Sequence, residues 1–365
     1  MKIELLGAPR VIMQNPGSLH NYFAWPSVTR LPDGRIAAAA SGYRLAHICP
    51  FGKAVMAVSA DEGETYAPPM PVIDTVLDDR DAGLCPFGES GLILTSFNNT
   101  TAFQRKSGQG GAYRDAYLDR VTPEAEQAAL GATFRISPDC GITWGPLHHS
   151  PITSPHGPTV LADGTILWVG RTFSQNNAFR IDVDCVMAYA LDPTTGEMTY
   201  RGRIDDIFDG DTKLLSCEPH ALQMPDGRII CHIRVQGYGT TNDRWFFTTY
   251  QSESADGGYT WSTPIPLLPR DDGAPPHLLR LTNGITVSSY AIRRKDAYSI
   301  RVMLSRDDCR SWETDFVLAC HDVTPDLGYP ATVELNDGSL LTVYYAHPAK
   351  GEPAVIMQQK WRIVE

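Results

Sequence analysis

The stretch "SADGGYTWSTP", residues 254–264, decides the fold of this chain. It begins with the pattern Ser-x-Asp-x-Gly-x-Thr-Trp, in which Asp caps its own backbone and Gly tolerates a positive φ. The aromatic residue can tuck under this turn and fix it to a sheet. The pattern returns as "SADEGETY" from Ser59, "SPDCGITW" from Ser137, "SRDDCRSW" from Ser305 with Cys309 in place of Gly, and in a worn form as "LDPTTGEMTY" from Leu191.

A second series of signals consists of Asp-Gly or Asn-Gly pairs between short apolar runs. Such pairs are the strongest local indication of a hairpin with a two-residue turn. The series comprises "LPDGRI", "LADGTI", "MPDGRI", "LTNGIT" and "LNDGSL", with a looser sixth, "FGESGL", around Gly91. Six hairpins interleaved with the repeated turns predict an all-β fold, a six-bladed β-propeller of four-stranded antiparallel blades. A two-sheet sandwich is the alternative.

The repeats fill the chain, so residues 1–365 are expected to form a single propeller domain with an insertion at about 98–136. The insertion is polar and glycine-rich, and "TPEAEQAALGA" within it predicts one short helix capped by Thr122. It is either a lid or a tolerated surface loop. The early strand "RVIMQ" is expected to pair with "AVIMQQKWRI" near the other end of the chain, which would close the ring without a free edge.

Composition excludes several classes of partner. The net charge of −11 argues against nucleic acid and anionic membranes, because both attract an excess of Lys and Arg. No apolar run is long enough to predict a transmembrane helix. Eight scattered cysteines without a CxxC pair, and no visible signal peptide, predict reduced thiols and a cytoplasmic location. No cofactor is predicted. Clustered histidines can bind Zn²⁺ or Mn²⁺, but they lack short ligand spacing, so no metal ligand is assigned and the question of a metal stays open. The oligomeric state stays open.

Charged and aromatic residues recur at one register of the predicted blades. Strands that climb from the glycine turns end in arginine in four of six units, and in His347 in another. Strands that descend to the turns begin with histidine, glutamate or tyrosine. Each single Arg or His has an ordinary interpretation as a solvated or structural residue, but the cluster at one rim indicates a site for an anion. The candidate substrate-binding residues are Arg44, Arg171, Arg234, Arg293, Arg294, His156, His220, His277 and Asp81.

Asp81 lies in "VLDDRDAGLCPFG", just before the second descending strand. Together with its neighbours Asp79 and Arg80, it either lines the pocket or belongs to a charged surface loop.

The repeated turns resemble the Asp-boxes, or BNR repeats, of the sialidase (neuraminidase) superfamily, whose members are six-bladed propellers. Three segments extend the likeness over essentially the whole chain. "YFAWPSVTRLPDGRI" resembles the family's first inner strand, "SCEPHALQMPDGRIICHIR" its Glu-Pro strand, and "DLGYPATVELNDGSLLTVYY" the strand with its nucleophilic tyrosine. The resemblance implies a fold of this type and a carbohydrate-active enzyme.

Carried over by position, the resemblance makes Tyr329 the nucleophile and Glu218 the carboxylate that withdraws its proton. A neutral tyrosine is a poor nucleophile, so it needs an adjacent base. Sialidases use tyrosine because an uncharged attacker is not repelled by the carboxylate of the sugar. Arg234 matches one of the family's three carboxylate-binding arginines, and Arg294 or Arg293 matches another.

The sequence departs from the family at two positions. Ala24, followed by Trp25, stands where the first arginine of the triad belongs. The segment "LAHICPFGKAVMAV" lacks the aspartate that serves the family as an acid. His47 is the nearest group that can donate a proton near neutral pH. These departures place the ordinary sialic-acid reaction in doubt, although not the scaffold.

Three functions are consistent with this reading. The first is a glycoside hydrolase that releases a terminal acidic sugar from a small oligosaccharide, with Tyr329, Glu218 and His47 as catalytic residues. The second is a lyase that abstracts the proton beside a uronate carboxylate, with Tyr329 or a histidine as base. The third is a non-catalytic carbohydrate-binding propeller, since a fold alone never proves catalysis.

Overall fold

A computed structural model describes residues 1–173, 184–238, 245–270, 272–273, 275–295, 297–321 and 323–364. Its strands form six sheets of four or five antiparallel strands, plus one small two-stranded hairpin. The first strand of each sheet contacts the first strand of the next sheet, so the sheets stand as blades around an axis. The predicted six-bladed propeller is therefore confirmed.

The chain starts with β1 (Lys2–Leu5) and β2 (Arg10–Met13), two strands that belong to the last blade. Blade 1 comprises β3 (Tyr22–Arg30), β4 (Ile36–Arg44), β5 (Lys53–Ser59) and β6 (Met70–Ile73). Blade 2 comprises β7 (Arg80–Phe87), β8 (Gly91–Phe97), β9 (Ala132–Ser137) and β10 (His148–Ser150). Within both blades, consecutive strands are hydrogen-bonded neighbours.

In blade 3 the inner strand is split in two. The blade comprises β11 (Ile152–Thr153), β12 (Thr159–Val160), β13 (Ile166–Thr172), β14 (Val186–Leu191) and β15 (Met198–Ile204). A small hairpin follows, made of β16 (Phe208–Asp209) and β17 (Thr212–Lys213). Blade 4 comprises β18 (Leu215–Gln223), β19 (Ile229–Tyr238), β20 (Trp245–Ser254) and β21 (Ile265–Pro266).

The last two blades complete the ring. Blade 5 comprises β22 (His277–Arg280), β23 (Thr286–Ile292), β24 (Ser299–Ser305) and β25 (Glu313–Cys320). Blade 6 comprises β26 (Gly328–Glu334), β27 (Leu340–Ala346) and β28 (Val355–Val364). Both β1 and β2 pair antiparallel with β28, so the predicted closure by the "RVIMQ" strand is confirmed.

The glycine turns join the first two strands of a blade, but not as two-residue turns. In the first, the Gly34 amide donates to the Leu31 carbonyl over 2.9 Å, and the Leu31 amide donates to the Arg35 carbonyl over 2.7 Å. Gly34 has φ +88, whereas Asp33 has no positive φ. This is a three-residue loop with glycine in the left-handed region, since a two-residue type I′ turn needs positive φ at both central residues. The predicted hairpins are present, and their predicted turn type is wrong.

Four Asp-box turns, at residues 59–66, 137–144, 254–261 and 305–312, join the third strand of a blade to the fourth. In the copy that begins at Ser254, the Gly258 amide donates to the Ser254 hydroxyl over 2.9 Å, and the Thr260 hydroxyl donates to Asp256 over 2.6 Å. The copy with Cys309 instead of glycine keeps the first bond, at 2.9 Å. Cys309 has φ +66, so the network of the turn holds a non-glycine residue in the left-handed region.

The insertion leaves blade 2 between β8 and β9, and therefore ends a few residues before the predicted boundary. It contains α1 (Thr101–Ser107), α2 (Gly111–Leu118) and α3 (Pro123–Ala129). The third is the predicted helix, and the Thr122 hydroxyl caps it by accepting from the Ala125 amide. The other two were not predicted. Tyr113 and Tyr117 of α2 pack on Phe51, which places the insertion on the loop that follows β4.

The core lies between the blades. The largest clusters of buried apolar side chains each join neighbouring blades, for example blade 1 with blade 6. All eight cysteines are free, and seven of them are buried, as predicted for scattered thiols. Among the described residues, no helix has the length and apolar character needed to cross a membrane.

Candidate active site

The two ends of the propeller have different chemistry. The glycine turns and the Asp-box turns lie together at one end, where Arg30 of blade 1 bonds to Glu62 of the first Asp-box turn. The climbing strands carry the predicted charged residues to the other end. The polar side chains of these turns are already engaged in local hydrogen bonds and are not available to a ligand. The opposite rim is therefore the candidate site.

Four inner strands carry a β-bulge at the same position near this rim. Each bulge holds one residue in the left-handed region, with φ values of 47–53. The pairing register shifts at each of them, in blades 1, 2, 4 and 6. A bulge re-aims a side chain, and a bulky residue at positive φ is costly and concentrates at functional sites. The four residues are Trp25, Asp81, Glu218 and Tyr329.

Tyr329 and Glu218 meet although they lie on different blades. The Tyr329 hydroxyl donates to Glu218 Oε1 in a short hydrogen bond. Arg234 Nη1 forms an ion pair with the other oxygen of the Glu218 carboxylate, Oε2. The same Nη1 atom lies 3.4 Å from the Tyr329 hydroxyl oxygen. Burial raises the pKa of Tyr329 well above its usual value, and the charges of Glu218 and Asp81 raise it further. The tyrosine is thus uncharged, with its proton already directed at a base.

Glu218 and Asp81 differ in protonation. Burial would raise the pKa of Glu218, but Arg234 and the hydrogen bond from Tyr329 lower it below its usual value. Burial raises the pKa of Asp81 to about 7, and the charge of Glu218 acts in the same direction. When their environments shift the pKa values of two carboxyl groups in opposite directions, one group can act as an acid and the other as a base. Asp81 suits the acid, and the alternative of a charged surface loop is wrong, because Asp79, Arg80 and Asp81 are all buried.

Positive charge exceeds negative charge around this group. The Arg293 guanidinium lies 5.5 Å from the Tyr329 ring centre, and its recorded partners are the Leu327 carbonyl and the Tyr345 hydroxyl, both uncharged. Arg80 stacks 3.9 Å from the Trp25 ring centre. Arg293, which has no ion pair among the described residues, therefore favours an anionic ligand.

His47 lies on the rim beside this group and is held by a residue that the sequence analysis did not select. Its Nδ1 atom is 3.0 Å from Asp326 Oδ1. The imidazole also contacts the Trp25 ring edge to face, at 4.9 Å between centres. Asp326 accepts further bonds from the Tyr22 and Tyr345 hydroxyls, at 2.7 and 2.9 Å.

Arg44 does not reach the cleft. Its side chain is fully buried, pairs with Asp78 at 2.6 Å and donates to the His47 carbonyl over 2.8 Å. Asp78 also lies 3.4 Å from Arg80, so one carboxylate serves two guanidinium groups. The prediction that Arg44 binds substrate is therefore replaced by a role in supporting the loop around His47.

Two other predicted arginines are engaged in ion pairs. Arg171 lies 2.6 Å from Asp184, and Arg294 lies 3.5 Å from Asp272. Of the two adjacent candidates in blade 5, Arg293 faces Tyr329, whereas Arg294 is exposed beside blade 4.

The three predicted substrate-binding histidines meet at the axis and not at the rim. His220 and His277 stack at 4.5 Å, and His156 lies 5.0 Å from His277. They line a cavity of about 810 Å³ that extends to the glycine turns at the opposite end. Burial lowers the pKa of His220 to about 4, so the cluster is uncharged. No metal-holding group of three or more His, Cys, Asp or Glu occurs among the described residues.

Sequence reasoning missed Asp326 and the role of Trp25, and it named Arg80 only as a neighbour of Asp81. Asp326 stands three residues before Tyr329 in the quoted segment, and Arg80 is adjacent to Asp81. Charged residues at or shortly before the start of an inner strand were therefore the available signal. The large cavity is not lined by Trp25, Asp81, Glu218 or Tyr329, which is why the rim site is favoured.

Known proteins resemble this chain mainly in structure. The model of the BNR repeat-like domain matches residues 120–342. No curated protein matches by sequence. A protein of unknown function from Dyadobacter fermentans superimposes with a TM-score of 0.76 at 20% identity, covering 99% of both chains. An intramolecular trans-sialidase from Ruminococcus gnavus superimposes with a TM-score of 0.66 at 14% identity, covering 98% of this chain and 99% of that one. An α-L-arabinofuranosidase from Fusarium graminearum superimposes with a TM-score of 0.63 at 11% identity, covering 98% of both chains.

At these identities the structural likeness concerns the fold alone, while the domain match covers more than half of the chain. It agrees with the four Asp-box turns and the six blades seen here. The chain belongs to the family of BNR repeat-like domains, with a sialidase-like propeller fold.

Proposed function

We propose that this protein is a glycoside hydrolase that releases a terminal acidic sugar from a small oligosaccharide. The observation that carries the proposal is the hydrogen bond from Tyr329 to Glu218, with Arg234 against the same carboxylate. An isolated tyrosine has no such base. The structural neighbours include an intramolecular trans-sialidase and an α-L-arabinofuranosidase, which supports the class of reaction.

The proposed first step uses three residues. The Tyr329 oxygen attacks the anomeric carbon while its proton passes to Glu218. The bond from this carbon to the leaving oxygen breaks, and Asp81 protonates that oxygen. The sequence analysis gave the donor role to His47; we assign it to Asp81, because a buried carboxyl with a pKa of about 7 holds its proton near neutral pH.

The acidic nature of the substrate rests on charge. Glu218 balances Arg234, but Arg293 has no ion pair among the described residues, and Asp78 is shared between two arginines. A carboxylate on the sugar would fill this role with bidentate contacts. An uncharged nucleophile such as Tyr329 also avoids repulsion of such a substrate.

The test is a screen of acidic oligosaccharides that follows reducing ends and ultraviolet absorbance together. Hydrolysis yields new reducing ends without absorbance. The lyase alternative is still relevant, because a neutral His47 lies near arginines. A lyase product carries a conjugated double bond that absorbs ultraviolet light. Saturable binding without any product would indicate a binding protein and end the proposal.

The tyrosine assignment has its own variant. Tyr329→Phe is expected to lower kcat by at least about 10³-fold with KM near that of the wild type, since the ring stays in place. Tyr344→Phe is the matched control, because Tyr344 is buried in the cluster between blades 5 and 6 and its hydroxyl has no hydrogen-bond partner among the described residues. Full activity of Tyr329→Phe would refute the mechanism.

A further inference from the structure

The carboxylate of Asp326 is shared by two histidines, and the atoms around them fix where the protons lie. His347 Nε2 is 3.0 Å from Asp326 Oδ2, and its Nδ1 is 2.7 Å from the Glu352 carbonyl oxygen. A carbonyl oxygen only accepts, and an ionised carboxylate only accepts. Both nitrogens of His347 therefore carry protons, which makes this ring an imidazolium.

His47 has the opposite state. Its Nδ1 faces Asp326 Oδ1, so that nitrogen carries a proton. The Tyr22 hydroxyl, 3.1 Å from the same nitrogen, gives its own proton to Asp326 and can only accept from His47. With Nδ1–H fixed, the lone pair of a neutral His47 lies on Nε2. Among the residues that the structure describes, only Nδ1 of this ring has hydrogen-bond partners.

Neighbouring charges give the His47 and His347 rings different protonation states. Burial lowers the pKa of His47, and Arg80 and Arg44 lower it further, against the hydrogen bond to Asp326. For His347, burial lowers the pKa, but the hydrogen bonds to Asp326 and to the Glu352 carbonyl, together with the charge of Asp326, raise it above its usual value. One negative charge on Asp326 is thus matched by His347, which leaves His47 uncharged near neutral pH.

The His47 ring opens to water-accessible space. It lines a cavity of about 460 Å³ together with Tyr22, Asp326, His347 and Gln109 of the insertion. Its side chain is 44% exposed, whereas Asp326 beneath it is 25% exposed. Trp25 contacts the His47 ring on one side and the Tyr329 ring on the other, at 4.9 and 6.5 Å between centres.

We propose that His47 is the general base of the second half-reaction and that Asp326 is its positioning residue. This inference rests on the proposed hydrolase function. A water molecule attacks the anomeric carbon, and one of its protons passes to His47 Nε2. The bond from that carbon to the Tyr329 oxygen breaks, and Glu218 returns the proton that it took in the first step. His47 then gives its proton to solvent, and solvent reprotonates Asp81.

Nitrogen-detected NMR on the labelled protein tests the proton positions without any substrate. At pH 7.5, the His47 ring is expected as the neutral Nδ1–H tautomer and the His347 ring as doubly protonated. Finding the Nε2–H tautomer on His47, or a neutral His347, would overturn the proposal. This result is independent of whether an acidic sugar is the substrate, so failure of the proposed function is distinguishable.

Kinetics on an identified substrate test the catalytic role. His47→Asn is expected to lower kcat by about 10²–10⁴-fold and to abolish the acidic limb of the pH profile. Asp326→Asn should also lower kcat, because an amide that donates to Nδ1 forces the proton onto Nε2. KM should change little in both. A variant His47→Asn with the wild-type rate and profile would contradict the proposal.

His347→Gln separates the base from its charge partner. Without the imidazolium, the full charge of Asp326 acts on His47 and raises its pKa, so the acidic limb is expected to move to higher pH. His20→Gln is the matched control, since Nδ1 of the His20 ring lies 3.0 Å from the Tyr43 carbonyl oxygen, an uncharged partner, and the ring shows no hydrogen bond to Asp326 among the described residues. The acidic limb of the His20→Gln profile should stay at the wild-type pH. Equal shifts of the acidic limb in both variants would refute the proposed effect of His347 on the pKa of His47.

Discussion

Asp81 combines a cost in stability with a role in the proposed reaction. Its backbone is in the left-handed region, and burial raises its pKa to about 7. An unfolded aspartate titrates near 3.9. Between these values the folded state binds a proton that the unfolded state has lost, so stability falls as pH rises from about 4 to 7. Functional sites commonly retain such unfavourable groups.

Asp81→Asn is therefore expected to gain stability and lose activity. At pH 8 the variant should be more stable than the wild type by up to about 4 kcal/mol, and the gain should vanish near pH 4. Its kcat should fall by about 10²–10⁴-fold, and the basic limb near pH 7 should disappear. Urea unfolding at both pH values, with a pH–rate profile, provides the check. A variant that is less stable than the wild type at pH 8 would show that the fold stabilises the ionised form of Asp81, so that its pKa is not raised.

At the scale of the element, the Asp-box turns explain why the chain repeats one phrase. Each turn joins the third and fourth strands of a blade through the same type of hydrogen bonds, and in the three copies with glycine that glycine lies against the neighbouring blade. A Cβ atom on Gly63 would overlap the Leu341 side chain of blade 6. On Gly34, in a hairpin turn, it would meet nothing within 4 Å. Both glycines have positive φ, so only the packing differs.

This contrast predicts unequal costs for two matched variants. Gly34→Ala should lower the free energy of unfolding by about 1–2 kcal/mol, the penalty of the left-handed backbone. Gly63→Ala should lose an additional 1–3 kcal/mol or so, because a core side chain must move. Neither should change kcat, since both turns lie at the end opposite the site. Equal losses in urea unfolding would mean that Leu341 yields without strain.

At the scale of the whole molecule, the ring depends on pairing between the two ends of the described chain. Lys2 faces Val364 and Leu5 faces Trp361 across the β1–β28 pair. Met13 of β2 is buried in the cluster that joins blades 1 and 6. Without β1 and β2, the long β28 would present an open edge, and blades 1 and 6 would lose part of their contact.

Deletion of residues 1–13 is expected to cost at least about 5 kcal/mol, which is most of the stability of an ordinary protein. Differential scanning calorimetry should show a lower Tm, and a synthetic peptide of residues 1–14 should restore part of it. A scrambled peptide is the control. An unchanged Tm of the shortened chain would show that β28 needs no partner.

The sequence alone determined the architecture. Repeated Asp-box patterns and Asp-Gly pairs specify turns through local hydrogen bonds and positive φ, which depend on residues a few positions apart. The pairing of the "RVIMQ" strand was also visible, as two similar apolar segments. The exact loop type was not, because a two-residue and a three-residue hairpin share the same Asp-Gly signal.

Only the tertiary structure decided which charged residues form the site. Tyr329 and Glu218 were accessible through family resemblance, but the rim register also selected Arg44, which is buried, and three histidines that lie at the axis. Side-chain direction at the rim depends on bulges, and ion pairs such as Arg44–Asp78 depend on segments from different strands. The partnership of His47 with Asp326 joins residues 279 positions apart. Local patterns fix turns and strands, whereas protonation and charge balance arise from contacts that form only when the ring closes.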